Sequence, residues 1–160
     1  MADTPFRHIY RVTYADCTLG NHVYHARYLD LLEAARGEFI RHLGTSALQL
    51  QERDLIFPVI ECRVRYKAPA RYDDLLAIEV WPVAVGKIRV NFAHRIVNQR
   101  GTLILEAETF HVCTSVQEKP KRLPEELAAR LKSLVPANGP TQGSNRTAEP
   151  PLPCTSDDRP

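Results

Sequence analysis

Tyr28-Leu29-Asp30-Leu31-Leu32-Glu33-Ala34-Ala35-Arg36-Gly37-Glu38-Phe39-Ile40-Arg41-His42-Leu43 is the stretch on which the fold of this chain turns. Tyr28, Leu31, Leu32, Ala35, Phe39 and Leu43 recur at intervals of three and four, while Asp30, Glu33, Arg36 and Arg41 fall on other faces. That period predicts a helix with one apolar stripe to bury. Gly44 supplies its stop, because glycine adopts the left-handed turn at a helix end without steric cost. A second, short helix is expected over Ser46–Arg53.

On either side the period changes to two. Phe6–Ala15, rich in Tyr, Ile, Val and Thr, predicts a first strand. Ile60, Cys62, Val64, Tyr66 and Ala68 alternate with Glu61, Arg63, Arg65 and Lys67, the pattern of a half-buried strand. Asp73-Asp74 marks a turn, and Leu75–Val83 the next strand. Ile88, Val90, Phe92, His94 and Ile96 then alternate with Lys87, Arg89, Asn91, Ala93 and Arg95. Asn98-Gln99-Arg100-Gly101 closes a hairpin into Thr102–Val116, and Pro124 opens a terminal helix to about Leu134. The order is α+β: strand, long helix, four antiparallel strands, short helix. Hairpin-linked strands need a cover for their apolar face, and the long helix is the available one. A curved antiparallel sheet of about five strands wrapped around one long central helix is the hotdog arrangement. Ile60, Val64, Ile88, Val90, Phe92 and Leu32 are expected to share its core, and the free sheet edge to serve dimerisation.

The 160 residues suffice for one well-buried domain. A net charge of +2 gives no surface-wide footprint for nucleic acid. The N-terminus has no secretory signal pattern, and no apolar run approaches the roughly 18 residues that cross a bilayer, so no membrane partner is expected. Cys17, Cys62, Cys113 and Cys154 stand far apart without a C-x-x-C pair, which predicts reduced structural thiols and a cytoplasmic setting. Residues 136–160 carry six of the twelve prolines and almost no large apolar side chains. The expectation is one domain over 1–135 and a disordered Pro-rich tail, holding Cys154, over 136–160.

Tyr14-Ala15-Asp16-Cys17-Thr18-Leu19-Gly20-Asn21-His22-Val23-Tyr24-His25-Ala26-Arg27-Tyr28 carries the chemistry. It resembles the signature of the 4-hydroxybenzoyl-CoA thioesterase-like hotdog family, roughly D-x-D-x-x-G-x-V-x-[HN]-x-x-Y before the long helix. The match includes Asp16, Val23, His25 and Tyr28, then Glu33 and Arg36 within the helix. Tyr66-Lys67-Ala68-Pro69-Ala70-Arg71-Tyr72-Asp73-Asp74 is similar to the family's Y-x-x-P-x-x-x-x-D segment. The resemblance spans about residues 6–134. It implies hydrolysis of an acyl-CoA thioester to free acid and CoA, without metal or organic cofactor, by a homodimer or homotetramer whose ligand tunnel lies between subunits.

One position departs. The second aspartate of the pattern, the carboxylate that attacks the thioester or activates water, is replaced here by Thr18. A hydroxyl is a poor base near neutral pH and needs a partner to become a nucleophile. The resemblance places the thioester carbonyl at the N-terminus of the long helix, at Tyr24–His25–Ala26, where unpaired N–H groups and the helix dipole favour an oxyanion. Asp16 and His25 are then the first candidates for the base, with His22 beside them and Glu33 two turns down the helix. Each has a plainer role open to it: Asp16 as a loop brace, the histidines in packing, Glu33 in an i,i+3 ion pair with Arg36. For the phosphates of CoA the candidates are Lys87 and Arg89, and the cluster Lys119, Lys121 and Arg122. The reading from another class is a non-catalytic hotdog protein that binds acyl-CoA or an acyl carrier protein, and Thr18 keeps it open.

Overall fold

The computed structural model describes residues 5–137. The expected tail, with Cys154, lies outside the described residues apart from its first two positions.

Five strands form one antiparallel sheet: β1 (Phe6–Arg11), β4 (Val59–Tyr66), β5 (Leu75–Val85), β6 (Arg89–Asn98) and β7 (Leu103–Val112). Their order across the sheet is β1-β5-β6-β7-β4, so β1 and β4 are the two edges. Two short strands, β2 (Cys17–Thr18) and β3 (His22–Val23), make a separate antiparallel ribbon. The helices are α1 (Arg27–His42), α2 (Ala47–Glu52) and α3 (Glu125–Ser133).

The helical stripe folds as its period requires. Tyr28, Leu31, Leu32, Ala35, Phe39 and Leu43 are all buried, and Phe39 packs its ring against Phe6 and Phe92 at 5.7 and 5.9 Å. Gly44 sits at φ +84° and closes α1 by donating to the Arg41 carbonyl at 2.8 Å. Ser46 caps α2 by accepting from the Gln49 N–H at 3.2 Å. Leu50 of α2 and Leu127 and Leu131 of α3 join the same core, so α1 shares the cover of the sheet with two smaller helices. On the opposite face, Glu79 is fully buried between Arg7 and Arg95, at 2.7 and 2.6 Å, which ties β1, β5 and β6 together.

Three expectations need correction. The first strand ends at Arg11 rather than Ala15, because Asp16 accepts both the N–H and the hydroxyl of Thr13 and draws 14–16 into a 3-10 turn. Such local side-chain bonds compete with a sheet ladder. The last strand ends at Val112, because after one more bond from the Cys113 N–H to the Ile88 carbonyl at 2.7 Å the chain leaves β6 and Thr114 pairs with Ile56 instead. Ile60 is not in the core: it is 51% exposed, whereas Val90, Phe92 and Leu32 are buried and Val64 and Ile88 half-buried. The cause is placement: Ile60 falls in the bulge between Val59 and Glu61 on the edge strand, away from β1 and β5 over which α1 packs.

A chain of polar groups runs through the interior of β6 and β7. The Phe57 carbonyl can only accept, so His111 Nδ1 donates to it at 3.1 Å. His111 Nε2 is then the acceptor of the Thr109 hydroxyl at 2.9 Å, and His94 Nε2 donates to Thr109 at 3.1 Å. His94 Nδ1 is left without a partner. Burial, aided by the charge of Arg36, pushes His94 down to about 3 and His111 to about 4, so both rings are neutral.

Candidate active site

The ribbon leads straight into α1. Its register sets Cys17 opposite Val23 and Thr18 opposite His22. Directly opposed residues share a face, with β-carbons about 4.5–5.5 Å apart. The Cys17–Val23 pair turns inward, with Val23 buried, and Thr18 and His22 are exposed together. The turn between them uses left-handed backbone at Gly20 and Asn21. Arg71 donates to the Gly20 carbonyl at 3.3 Å, and the Asn21 side chain accepts from the Tyr72 N–H at 3.0 Å, so the 66–74 segment holds the turn in place.

Asp16 is committed elsewhere. It is 1% exposed and accepts from the Tyr10 hydroxyl, the Thr13 N–H and hydroxyl, and Arg27 Nε, all at 2.7–2.8 Å. Burial pushes its carboxyl up, but the hydrogen bonds from Arg27, Thr13 and Tyr10 outweigh it and hold the group below the usual carboxylate range. A carboxylate so satisfied is a poor proton acceptor. The geometry makes Asp16 the brace of the site loop rather than its base.

At the mouth of α1 the backbone is open in part. The Tyr24 N–H donates to the Asp16 carbonyl at 2.8 Å, and Arg27 to the Tyr24 carbonyl at 2.9 Å. Among the described residues, the N–H groups of His25 and Ala26 have no acceptor, and Ala26 at the N-cap has no side chain to supply one. Two donors therefore stand free at the positive end of a 16-residue helix. The His25 ring lies 4.5 Å from that of Tyr24, and its carbonyl accepts from the Tyr66 hydroxyl at 2.9 Å. Tyr66 is thus a site residue that the strand pattern alone did not single out.

The other expected residues are dispersed. Glu33 is exposed, about 12 Å of helix rise from His25. Among the described residues it forms no ion pair with Arg36, which is half-buried one turn further along α1. Both line a cavity of about 750 Å³ that runs along α1, with Leu50, Phe92, Leu127 and Leu131 supplying its apolar wall. The two basic clusters form one patch, since the Leu123 N–H donates to the Lys87 carbonyl and Lys121 to the carbonyl of Cys113, beside Ile88. Lys121 is paired with Asp54 at 3.1 Å, and Lys87, Arg89, Lys119 and Arg122 are exposed. Arg89 begins β6 and Asn98 ends it near the site loop, so about 30 Å of strand separates patch and loop within one chain.

A model of the thioesterase-like superfamily matches residues 12–131. The chain belongs to that family. It is 39% identical over 133 residues to the acyl-CoA thioester hydrolase YbgC of Escherichia coli O6:H1, covering 82% of this chain and 99% of that one. To the acyl-CoA thioesterase YbgC of Haemophilus influenzae it is 36% identical over 137 residues, covering 84% and 99%. Among solved structures, a probable thioesterase from Bartonella henselae superposes with a TM-score of 0.72 at 29% identity, over 76% of this chain and all of the other. Among the described residues, no helix is long and apolar enough to cross a membrane.

Proposed function

We propose that this protein hydrolyses acyl-CoA thioesters to the free acid and CoA, as a hotdog dimer working in the cytoplasm with α1 as its central helix. The observation that carries the reading is the pair of free N–H groups of His25 and Ala26 at the start of α1, in a chain 39% identical to an acyl-CoA thioester hydrolase. Donors fixed before the reaction stabilise the oxyanion that forms when a thioester carbonyl is attacked. The cavity along α1 offers the acyl group apolar space of ordinary ligand-pocket size.

The open edge supports the dimer. β4 carries Val59, Ile60 and Tyr66, each about half exposed, on a strand that pairs with β7 on one side and leaves its other edge open. Its Val59 end lies at the basic end of the sheet, opposite His111, and its Tyr66 end touches the site loop. Antiparallel pairing of two β4 strands about a two-fold axis sets the Val59 end of one copy beside the Tyr66 end of the other. Each basic patch then approaches the partner's site loop, which answers the 30 Å separation within one chain and supplies cations for the CoA phosphates.

Thr18 favours one second reading, a protein that binds acyl-CoA or acyl-carrier thioesters without cleaving them. A thiol-release assay across short, long and aromatic acyl-CoAs separates the two. Turnover of any of them supports hydrolysis, and binding of acyl-CoA without release of thiol supports the second reading.

A further inference from the structure

We propose that His22 is the general base of the reaction, acting across the ribbon with Thr18, which holds the attacking water. This rests on the hydrolase reading above. Thr18 occupies the position of the carboxylate in the resembled signature, and the residue opposite it is an imidazole. Both side chains are exposed on one face of the ribbon, with His22 five residues before α1 opens. The ring stands over Gly20, His22 Nε2 lying 3.8 Å from where a β-carbon there would stand, and the left-handed turn that brings it there uses Gly20 at φ +77°.

The alternatives are engaged or distant. Asp16 is buried under four hydrogen bonds, and Glu33 is two turns down α1. The His25 ring leans on Tyr24, and its backbone belongs to the oxyanion site. No direct hydrogen bond joins Thr18 and His22 among the described residues, and the spacing of opposed side chains leaves a gap that a water can bridge. Water is therefore the nucleophile, and no acyl-threonine forms. The water oxygen bonds to the thioester carbon as its proton passes to His22, and the N–H groups of His25 and Ala26 hold the oxyanion. The intermediate collapses by breaking the C–S bond, and the departing thiolate takes the proton from His22. One thioester and one water give one carboxylic acid and one thiol.

The test is steady-state thiol release by the full-length protein on the same acyl-CoA panel. His22→Ala should lower kcat at least about 100-fold with little change in KM, and added imidazole should restore part of the rate. Thr18→Ser should keep most of the activity and Thr18→Val lose it, without burst kinetics in any variant. In Thr18→Asp the new carboxylate takes over, so a further His22→Ala change should matter little. Full activity in His22→Ala overturns the assignment and leaves the hydrolase reading standing. A folded His22→Ala that is inactive and not rescued by imidazole also overturns it. A wild type inert toward the whole panel overturns both.

Discussion

At the scale of single residues, position decides chemistry more than residue type does. Asp16 is the most conspicuous acid in the site loop, yet its oxygens are spoken for by Tyr10, Thr13 and Arg27. Asp16→Ala should therefore cost stability, by about 2–3 kcal/mol for a buried, charge-assisted hydrogen-bond set, read as a lower denaturant midpoint. Any loss of activity should track the fraction unfolded. Its lowered pKa adds a pH signature. A carboxylate whose folded pKa is depressed stabilises above its unfolded value near 3.9 and loses that contribution as pH falls through the folded one. Thr18→Asp restores the carboxylate of the family signature. Because His22 already serves as base, it should raise thiol release by far less than the roughly 10²–10⁴-fold that a general base contributes in full, and a gain of that whole size in the assay would mean that wild type works without one.

At the scale of elements, α1 was legible and β4 only half so. The stripe from Tyr28 to Leu43 predicts α1 to within a residue, because helical period and burial coincide there. Phe39→Ala, which empties the contact with Phe6 and Phe92, should cost about 3–5 kcal/mol in denaturant unfolding. The alternation over Ile60–Ala68 gave the strand, which runs Val59–Tyr66, but of its expected buried face within that strand only Val64 is part-buried. Period two states that a face is apolar but not what covers it, so Ile60 looked like core and proved to be edge. The site shows the same divide. The acid at 16, the histidines and the helix start were readable as types in a motif. The burial of Asp16 was not, because its partners come from β1 and α1, 6 and 11 residues away. The two basic clusters were visible separately, while their union and their distance from the loop depend on sheet register. Nothing in the strand patterns marked the His94–Thr109–His111 chain, which exists only once β6 and β7 pair.

At the scale of the whole molecule, that buried chain sets an acid limit. Both histidines are neutral in the fold, with values of about 3 and about 4, and ionise near 6.5 when unfolded. Below pH 6.5 the unfolded chain binds protons that the native state refuses. Each ring then removes about 1.4 kcal/mol of stability per pH unit as pH falls toward its folded value, and none above 6.5. Unfolding free energies from denaturant titration between pH 6.5 and 5 should fall on this slope, and His94→Leu combined with Thr109→Val should roughly halve it, because His111 still titrates. The open β4 edge sets a second global property. Light scattering should give twice the chain mass for wild type, and Ile60→Lys, which places a charge on the exposed apolar face of that edge, should give the monomer. In the proposed dimer, a site finished by a neighbour's basic patch also changes what a rate means. Progress per chain is constant only while copies stay paired, so dilution below the pairing constant should make total turnover fall with the square of protein concentration. Synthesis level would then act as a switch on catalysis without any effector molecule.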